Sequence, residues 1–225
     1  MDTPVKGRSC GMCSLCCKLL DVREISKPEG KWCVHCVPGR ERCTIYDRRP
    51  NQCRKFHCGW LMVEGLSDDW RPAKSKMVLC TEAGDKRIAV HVDPAFPKVW
   101  REEPYYGTLK DFARQVVDAG GQVVVYVKRH AFVILPKEDV DLGELAPGDD
   151  IGIDAKKTSR GRVFAARKIA AVEPASRADI GSRSTPGARA DLIRRALPDD
   201  VRRVAAFHDI DRAIEQMRPG DQDRE

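Results

Sequence analysis

Nine of the chain's 10 cysteines fall between Cys10 and Cys58, and only Cys80 lies in the rest of its 225 residues. A chain of this length buries a core without cross-links, so so local a density of thiols answers a different need. The first residues, MDTPVKGRSCGMCSLCCKLLD, hold no uninterrupted apolar run of the kind a secretory signal requires. No later window reaches the roughly 18 apolar residues of a membrane span. The expected location is the cytoplasm. In that reducing compartment, clustered thiols bind metal or carry redox chemistry in preference to forming structural disulfides.

The cluster opens with Cys10-x2-Cys13-x2-Cys16-Cys17, continues with Cys33-x2-Cys36 and Cys43, and closes with Cys53-x4-Cys58. A two-residue gap lets both thiolates of a C-x2-C pair reach one tetrahedral ion without straining the turn between them. Nine thiols exceed one four-ligand site. Two four-cysteine sites, or one binuclear site with bridging sulfurs, would absorb eight of them. Adjacent Cys16 and Cys17 do not easily chelate one ion together, which points to two metals or a bridge. Ligand type excludes magnesium and calcium and selects zinc, iron (including an iron-sulfur cluster) or cuprous copper. Spacing alone does not separate zinc from iron. A bacterial ferredoxin run is disfavoured, because the fourth cysteine is adjacent to the third and the x3-Cys-Pro continuation is missing.

Residues around the thiols carry expectations of their own. His35 and His57 lie inside the cluster and could replace a thiolate. Arg48, Arg49 and Arg54 are close enough in sequence to offset the negative charge of several thiolates and to lower their pKa values. Pro50 disfavours a helical Arg49 and fixes a turn that presents Cys53 and Cys58. Tyr46, Phe56 and Trp60 read as a small apolar shell under the site. Cys80, within Met77-Val78-Leu79-Cys80, reads as a buried small hydrophobe.

The opening Cys10 to Cys17, then Cys33, then the run from Cys43 through Ile45, Tyr46, Arg49, Pro50, Cys53, Arg54 and Phe56 to Cys58, resemble the YkgJ-type cysteine-cluster family, described as a zinc- or iron-chelating domain. Its hallmark is C-x2-C-x2-C-C followed by C-x-I-Y-x2-R-P-x2-C-R-x-F-x-C, and every element of the closing motif stands here. The resemblance covers the first third of the chain. It implies metal binding by Cys10, Cys13, Cys16, Cys17, Cys33, Cys43, Cys53 and Cys58, with Cys36 a departure from the pattern. Members include bacterial flagellin lysine methylases that carry such a cluster and proteins labelled iron-sulfur oxidoreductases, so the resemblance implies no single activity.

The remainder reads as ordinary secondary structure. Lys76 to Thr81 and Arg87 to Asp93 predict a hairpin across Gly84-Asp85. A helix capped by Thr108, with Asp111 at the reciprocal position, would present Leu109, Phe112, Val116 and Val117 and stop at Gly120-Gly121. Gln122 to Lys128 and His130 to Leu135 predict strands, and Ile151 to Asp154 and Arg162 to Lys168 weaker ones. The expected class is α+β: an irregular, metal-stabilised cysteine-rich domain over 1–72, a small antiparallel-sheet α+β domain over 73–172, a linker over 173–188 and a helical tail over 189–225. In that tail Val201, Val204, Phe207, Ile210, Ile214 and Met217 recur every three or four positions, as in a docking or partner-binding helix.

A net charge of +6 is mild for a dedicated nucleic-acid binder. Arg189, Arg194, Arg195, Arg202 and Arg203 also interleave with Asp191, Asp199 and Asp200, which reads as a solvated surface. No G-x-G-x-x-G, P-loop, G-x-S-x-G or H-E-x-x-H motif occurs, and His91, His130 and His208 stand isolated, as surface or core histidines do. The expected function is metal binding, zinc or iron held by Cys10, Cys13, Cys16, Cys17, Cys33, Cys36, Cys43, Cys53 and Cys58 in a mainly structural role. The alternative is an iron-sulfur enzyme or redox protein acting on a protein substrate. A protein is the expected partner; nucleic acid and membrane are not.

Overall fold

The computed structural model describes residues 4–11, 13–37, 42–83, 86–159, 161–171 and 193. The expected linker over 173–188 and tail over 189–225 lie outside the described residues apart from Ile193, and so does the Gly84-Asp85 turn. In chain order the elements are α1 (Leu15–Leu19), β1 (Cys36–Val37), β2 (Arg42–Cys43), α2 (Asn51–Lys55), α3 (Gly59–Met62), α4 (Pro72–Ser75), β3 (Met77–Glu82), β4 (Arg87–Val92), α5 (Tyr105–Val116), β5 (Gln122–Val127), β6 (His130–Ile134), β7 (Asp139–Glu144), β8 (Asp150–Thr158) and β9 (Gly161–Ile169), with short 3-10 turns between them. The fold is α+β. No helix among the described residues is long and apolar enough to cross a membrane.

Strands β3 to β7 form one sheet in the order β3-β4-β5-β6-β7, and β8 and β9 pair as a separate hairpin. The expected antiparallel sheet is corrected to a mixed one, because β4 and β5 run parallel with Val90 opposite Val125. A parallel pair needs a long crossover, and residues 93–121, which contain α5, supply it. The expected helix start at Thr108 is also corrected. Helix α5 begins at Tyr105, whose side chain is buried and whose hydroxyl donates to the Asp69 carbonyl at 3.2 Å. Thr108 lies inside the helix, where its hydroxyl donates back to the Pro104 carbonyl at 2.8 Å. Asp111 pairs with Arg114 instead of closing a capping box. The stop is where the glycines place it: Gly120 sits at φ +80, in the left-handed region that suits a residue without Cβ.

The core joins the two sides of the expected domain boundary. Trp60, Leu61, Leu66 and Trp70, before the expected boundary at residue 72, are buried in one cluster with Leu79, Val90, Leu109, Phe112 and Val125 beyond it. Trp70 meets Tyr105 edge-on at 5.3 Å, and helices α1, α3 and α4 lie against β3, an edge strand of the sheet. Covering an edge in this way satisfies a strand that would otherwise offer itself to other chains. At Gly59 the approach is so close that a Cβ would stand 3.0 Å from Leu79 Cδ2 and Ile193 Cδ1.

Helices of four and five residues are too short to persist by their own hydrogen bonds, so polar side chains hold those of the cysteine segment. Arg8 is the broadest such clamp. Its guanidinium donates to the carbonyls of Trp60, Val63 (2.9 Å), Glu64 (3.1 Å) and Leu66 (2.7 Å), and so fastens the start of the chain across α3. Lys27 donates to the Lys18 carbonyl at 3.0 Å and to that of Leu20, capping the end of α1. Glu24 accepts from the Asn51 and Gln52 amides at 2.9 and 2.6 Å, which caps α2 with a carboxylate at the end that favours negative charge. Arg8→Ala is expected to lower stability by about 2–4 kcal/mol, because several partly buried carbonyls lose a charged donor together. Arg8→Lys should recover only part of that, since an ammonium cannot reproduce the fork. Urea unfolding of the two variants checks both; an unchanged midpoint for Arg8→Ala would show water substituting for the guanidinium.

Candidate metal centre

The Cys10–Cys13 and Cys33–Cys36 pairs each close a hydrogen-bonded turn. The Cys13 amide donates to the Cys10 carbonyl at 2.7 Å and the Cys36 amide to the Cys33 carbonyl at 3.0 Å. Further bonds draw the segments together. The Cys33 amide donates to the Cys17 carbonyl at 3.0 Å, and Cys36 faces Cys43 across the β1–β2 pair. Arg49 has the extended backbone (ψ 147) that Pro50 imposes, α2 then starts at Asn51 and carries Cys53, and Cys58 stands at the head of α3.

The result is a single cavity of about 980 Å³ lined by Cys10, Cys13, Cys16, Cys17, Cys33, Cys43, Cys53 and Cys58. Eight of the nine clustered cysteines thus share one space. Cys36 does not line it; it is buried and hydrogen-bonded to Cys17 and Ser14. None of the ten cysteines, Cys80 included, is in a disulfide. His35 and His57 do not line the cavity, whereas Tyr46, Phe56 and Trp60 do. Trp60 and Phe56 pack with the core, and Tyr46, 50% exposed, stands at the rim.

Electrostatic contacts link the thiols into one network, in which Cys10 is coupled to both Cys13 and Cys17. Cys58 interacts with Cys10, Cys13 and Cys80, while Cys53 interacts with Cys17, Cys33 and Cys43. Burial, followed by the like charge of neighbouring thiolates, pushes Cys10 and Cys53 up, and burial carries Cys58 to about 12. Cys17 is raised by its hydrogen bond with Cys16 and by burial. A cation among these sulfurs counters both effects, since it replaces lost hydration and neutralises the repulsion.

Of the three arginines expected to balance charge, Arg49 does so. It lines the cavity and lowers Cys10 and Cys53, while its Nε donates to the Tyr46 carbonyl at 2.8 Å and its guanidinium lies 3.6 Å from the Tyr46 ring centroid. Arg48 and Arg54 do not line the cavity, and Arg54 is hydrogen-bonded to Asn51 at 2.7 Å. Lys27, a cation that sequence spacing does not single out, is the one that lowers Cys17.

On the sheet side the same cavity is lined by Cys80, Glu82 and His91. Cys80 is indeed buried in the core cluster, and its thiol also faces this space. Among the described residues these three side chains form the one group whose ligand atoms all lie within 4.8 Å of one another. His91 Nε2 stands 2.8 Å from Glu82 Oε1, and the ring stacks on Tyr126 at 5.2 Å. Burial opposes the charge on Glu82, yet His91 and Arg87 hold its carboxyl below the ordinary range. Burial likewise opposes charge on His91, and contacts with Cys80, Glu29 and Glu82 hold it well above its ordinary value.

Because no cysteine is in a disulfide, ten thiols per chain should react with a thiol reagent in denaturant containing a chelator and no reductant. Eight or fewer would mean that a disulfide forms in the cluster. Compared with known protein families, curated proteins and solved structures, the chain matches none.

Proposed function

We propose that this is a cytoplasmic metal-binding protein of the YkgJ type that chelates zinc or iron through its cysteine cluster, with the metal acting mainly as a structural element. The observation that supports the reading is that eight cysteines of one short segment line one cavity. Soft sulfur donors suit zinc and iron and not the alkaline earths. Cys10, Cys13, Cys16, Cys17, Cys33, Cys43, Cys53 and Cys58 would hold the metal, with Cys36 beside them through its hydrogen bond to Cys17. Eight thiols are enough for two metal ions or a bridged pair. Bound there, metal would cross-link helices too short to hold themselves and replace an apolar core for the segment.

A second reading, an iron-sulfur enzyme or redox protein acting on a protein substrate, draws on the cavity's size. About 980 Å³ is more than one or two ions fill and lies in the range of ligand pockets.

Elemental analysis and a visible spectrum, on full-length protein purified without oxygen and without a chelating tag, test both readings. Zinc or iron in at least stoichiometric amount is expected, and protein free of either overturns metal binding. Iron with matching acid-labile sulfide and visible colour would bring the second reading forward. Cys13→Ala, Cys53→Ala and Cys58→Ala should each lose metal and expose the N-terminal segment to protease; a variant that keeps both its metal and its resistance contradicts the structural role.

A further inference from the structure

We infer that Cys80, Glu82 and His91 form a second, separate binding site for a divalent cation of borderline softness, zinc or ferrous iron, in the sheet wall of the cavity. None of the three belongs to the cysteine cluster, and the site goes beyond the reading given above.

The argument begins with the strand register. Cys80 pairs with Ala89 and Glu82 with Arg87 across β3 and β4, and His91 faces Val78. Directly opposed residues share a face, so Cys80, Glu82 and His91 all point to the same side, with His91 diagonal to Cys80 and four residues along β4 from the partner of Glu82, close enough for the two side chains to meet. The hydrogen-bond ladder of two neighbouring strands fixes their spacing, so the donors are placed before any ion arrives. Their ligand atoms lie within 4.8 Å of one another. Around a tetrahedral ion at ordinary zinc bond lengths, donor atoms stand roughly 3.4 Å apart. The His91–Glu82 pair at 2.8 Å therefore opens slightly, and Cys80 closes in.

Neighbouring groups orient the donors. Arg87 Nη1 stands 3.9 Å from Glu82 Oε2, which leaves Oε1 for the ion. His91 is stacked on Tyr126, and its Nδ1 is buried without a hydrogen-bond partner, 3.9 Å from Glu29 Oε1. A carboxylate beyond the imidazole is the usual companion of a metal-ligating histidine. One thiolate and one carboxylate neutralise a dication. The three kinds of donor, sulfur, oxygen and nitrogen, are those zinc and ferrous iron accept together, whereas calcium and magnesium reject the thiolate. Three protein ligands leave one position of a tetrahedral ion open to the cavity, and the next thiol in reach is Cys58.

The test uses full-length protein loaded with zinc, and separately with cobalt(II), whose visible bands report sulfur ligation. Cys80→Ser and His91→Ala should each lose about one metal equivalent per chain and alter the cobalt spectrum, with circular dichroism unchanged. Glu82→Gln keeps shape and volume, and should lower zinc retention against a competing chelator at least tenfold, the loss expected even of a group that only supports a metal ligand. Unchanged metal content, retention and cobalt spectrum in all three variants overturn the site. If His91→Ala or Cys80→Ser misfolds, Glu82→Gln alone decides. The cluster fails separately: Cys13→Ala and Cys53→Ala would then leave metal content intact while Cys80→Ser lowers it.

Discussion

Every cysteine-bearing helix among the described residues has four or five residues, or is headed by its cysteine, and such helices do not stand alone in water. The rest of the structure follows from how that weakness is met. Arg8, Glu24 and Gln52 reach between segments that are far apart in sequence, Lys27 folds back onto the end of α1, and all four satisfy backbone groups there. They bring α1, α2 and α3 to the covered edge of the sheet. Lys18 adds an ion pair to Asp93 at 2.7 Å, fastening α1 to the residue that follows β4. The apolar contribution is concentrated at one end, in Trp60 to Trp70, where the chain enters the common core.

That arrangement gathers thiols at an electrostatic cost. Sulfurs brought into one partly buried space resist ionising, through lost hydration and through one another. Arg49 and Lys27 each ease one part of the cluster, Arg49 at Cys10 and Cys53 and Lys27 at Cys17. Two single charges do not balance eight thiolates, so a cavity built this way favours the group that does, a di- or trivalent cation. The backbone is prepared for it in part, since the turns from Cys10 to Cys13 and from Cys33 to Cys36 are each closed by a hydrogen bond.

Much of this was legible in the residues. The hairpin of β3 and β4, the apolar face of α5, its glycine stop and the strands β5 and β6 all follow local patterns that depend on neighbours in sequence. The parallel β4–β5 pairing did not, because alternation predicts a strand without saying which way its partner runs. Strand β7, Asp139–Glu144, was missed since its acidic sequence lacks the apolar alternation of a half-buried strand, and it lies at the sheet's edge. The start of α5 was misread by one turn because Thr108 resembles a cap, while the true anchor, Tyr105, earns its place by tertiary burial. Taken singly, Cys80 reads as a buried small hydrophobe and His91 as a surface or core histidine. Their connection was nevertheless present in the expected hairpin: once Cys80 is paired near Ala89, a histidine two positions on shares its face.

The two groups of donors differ in what holds them. The clustered thiols sit on loops and short helices whose positions depend on a few polar clamps, so a cation there would be part of the fold. Cys80, Glu82 and His91 sit on strands that the ladder and the core hold in any case, with Val78, Ala89 and Val90 fully buried around them. Emptying such a strand-borne site leaves its geometry standing, and for that reason an ion can be exchanged there without unfolding the chain. Chemistry that needs an open coordination position belongs on the rigid support, because a ligand that must move to close the shell cannot also keep a position free. If this protein does more than hold metal, the sheet wall of the cavity is where its residues are arranged to do it.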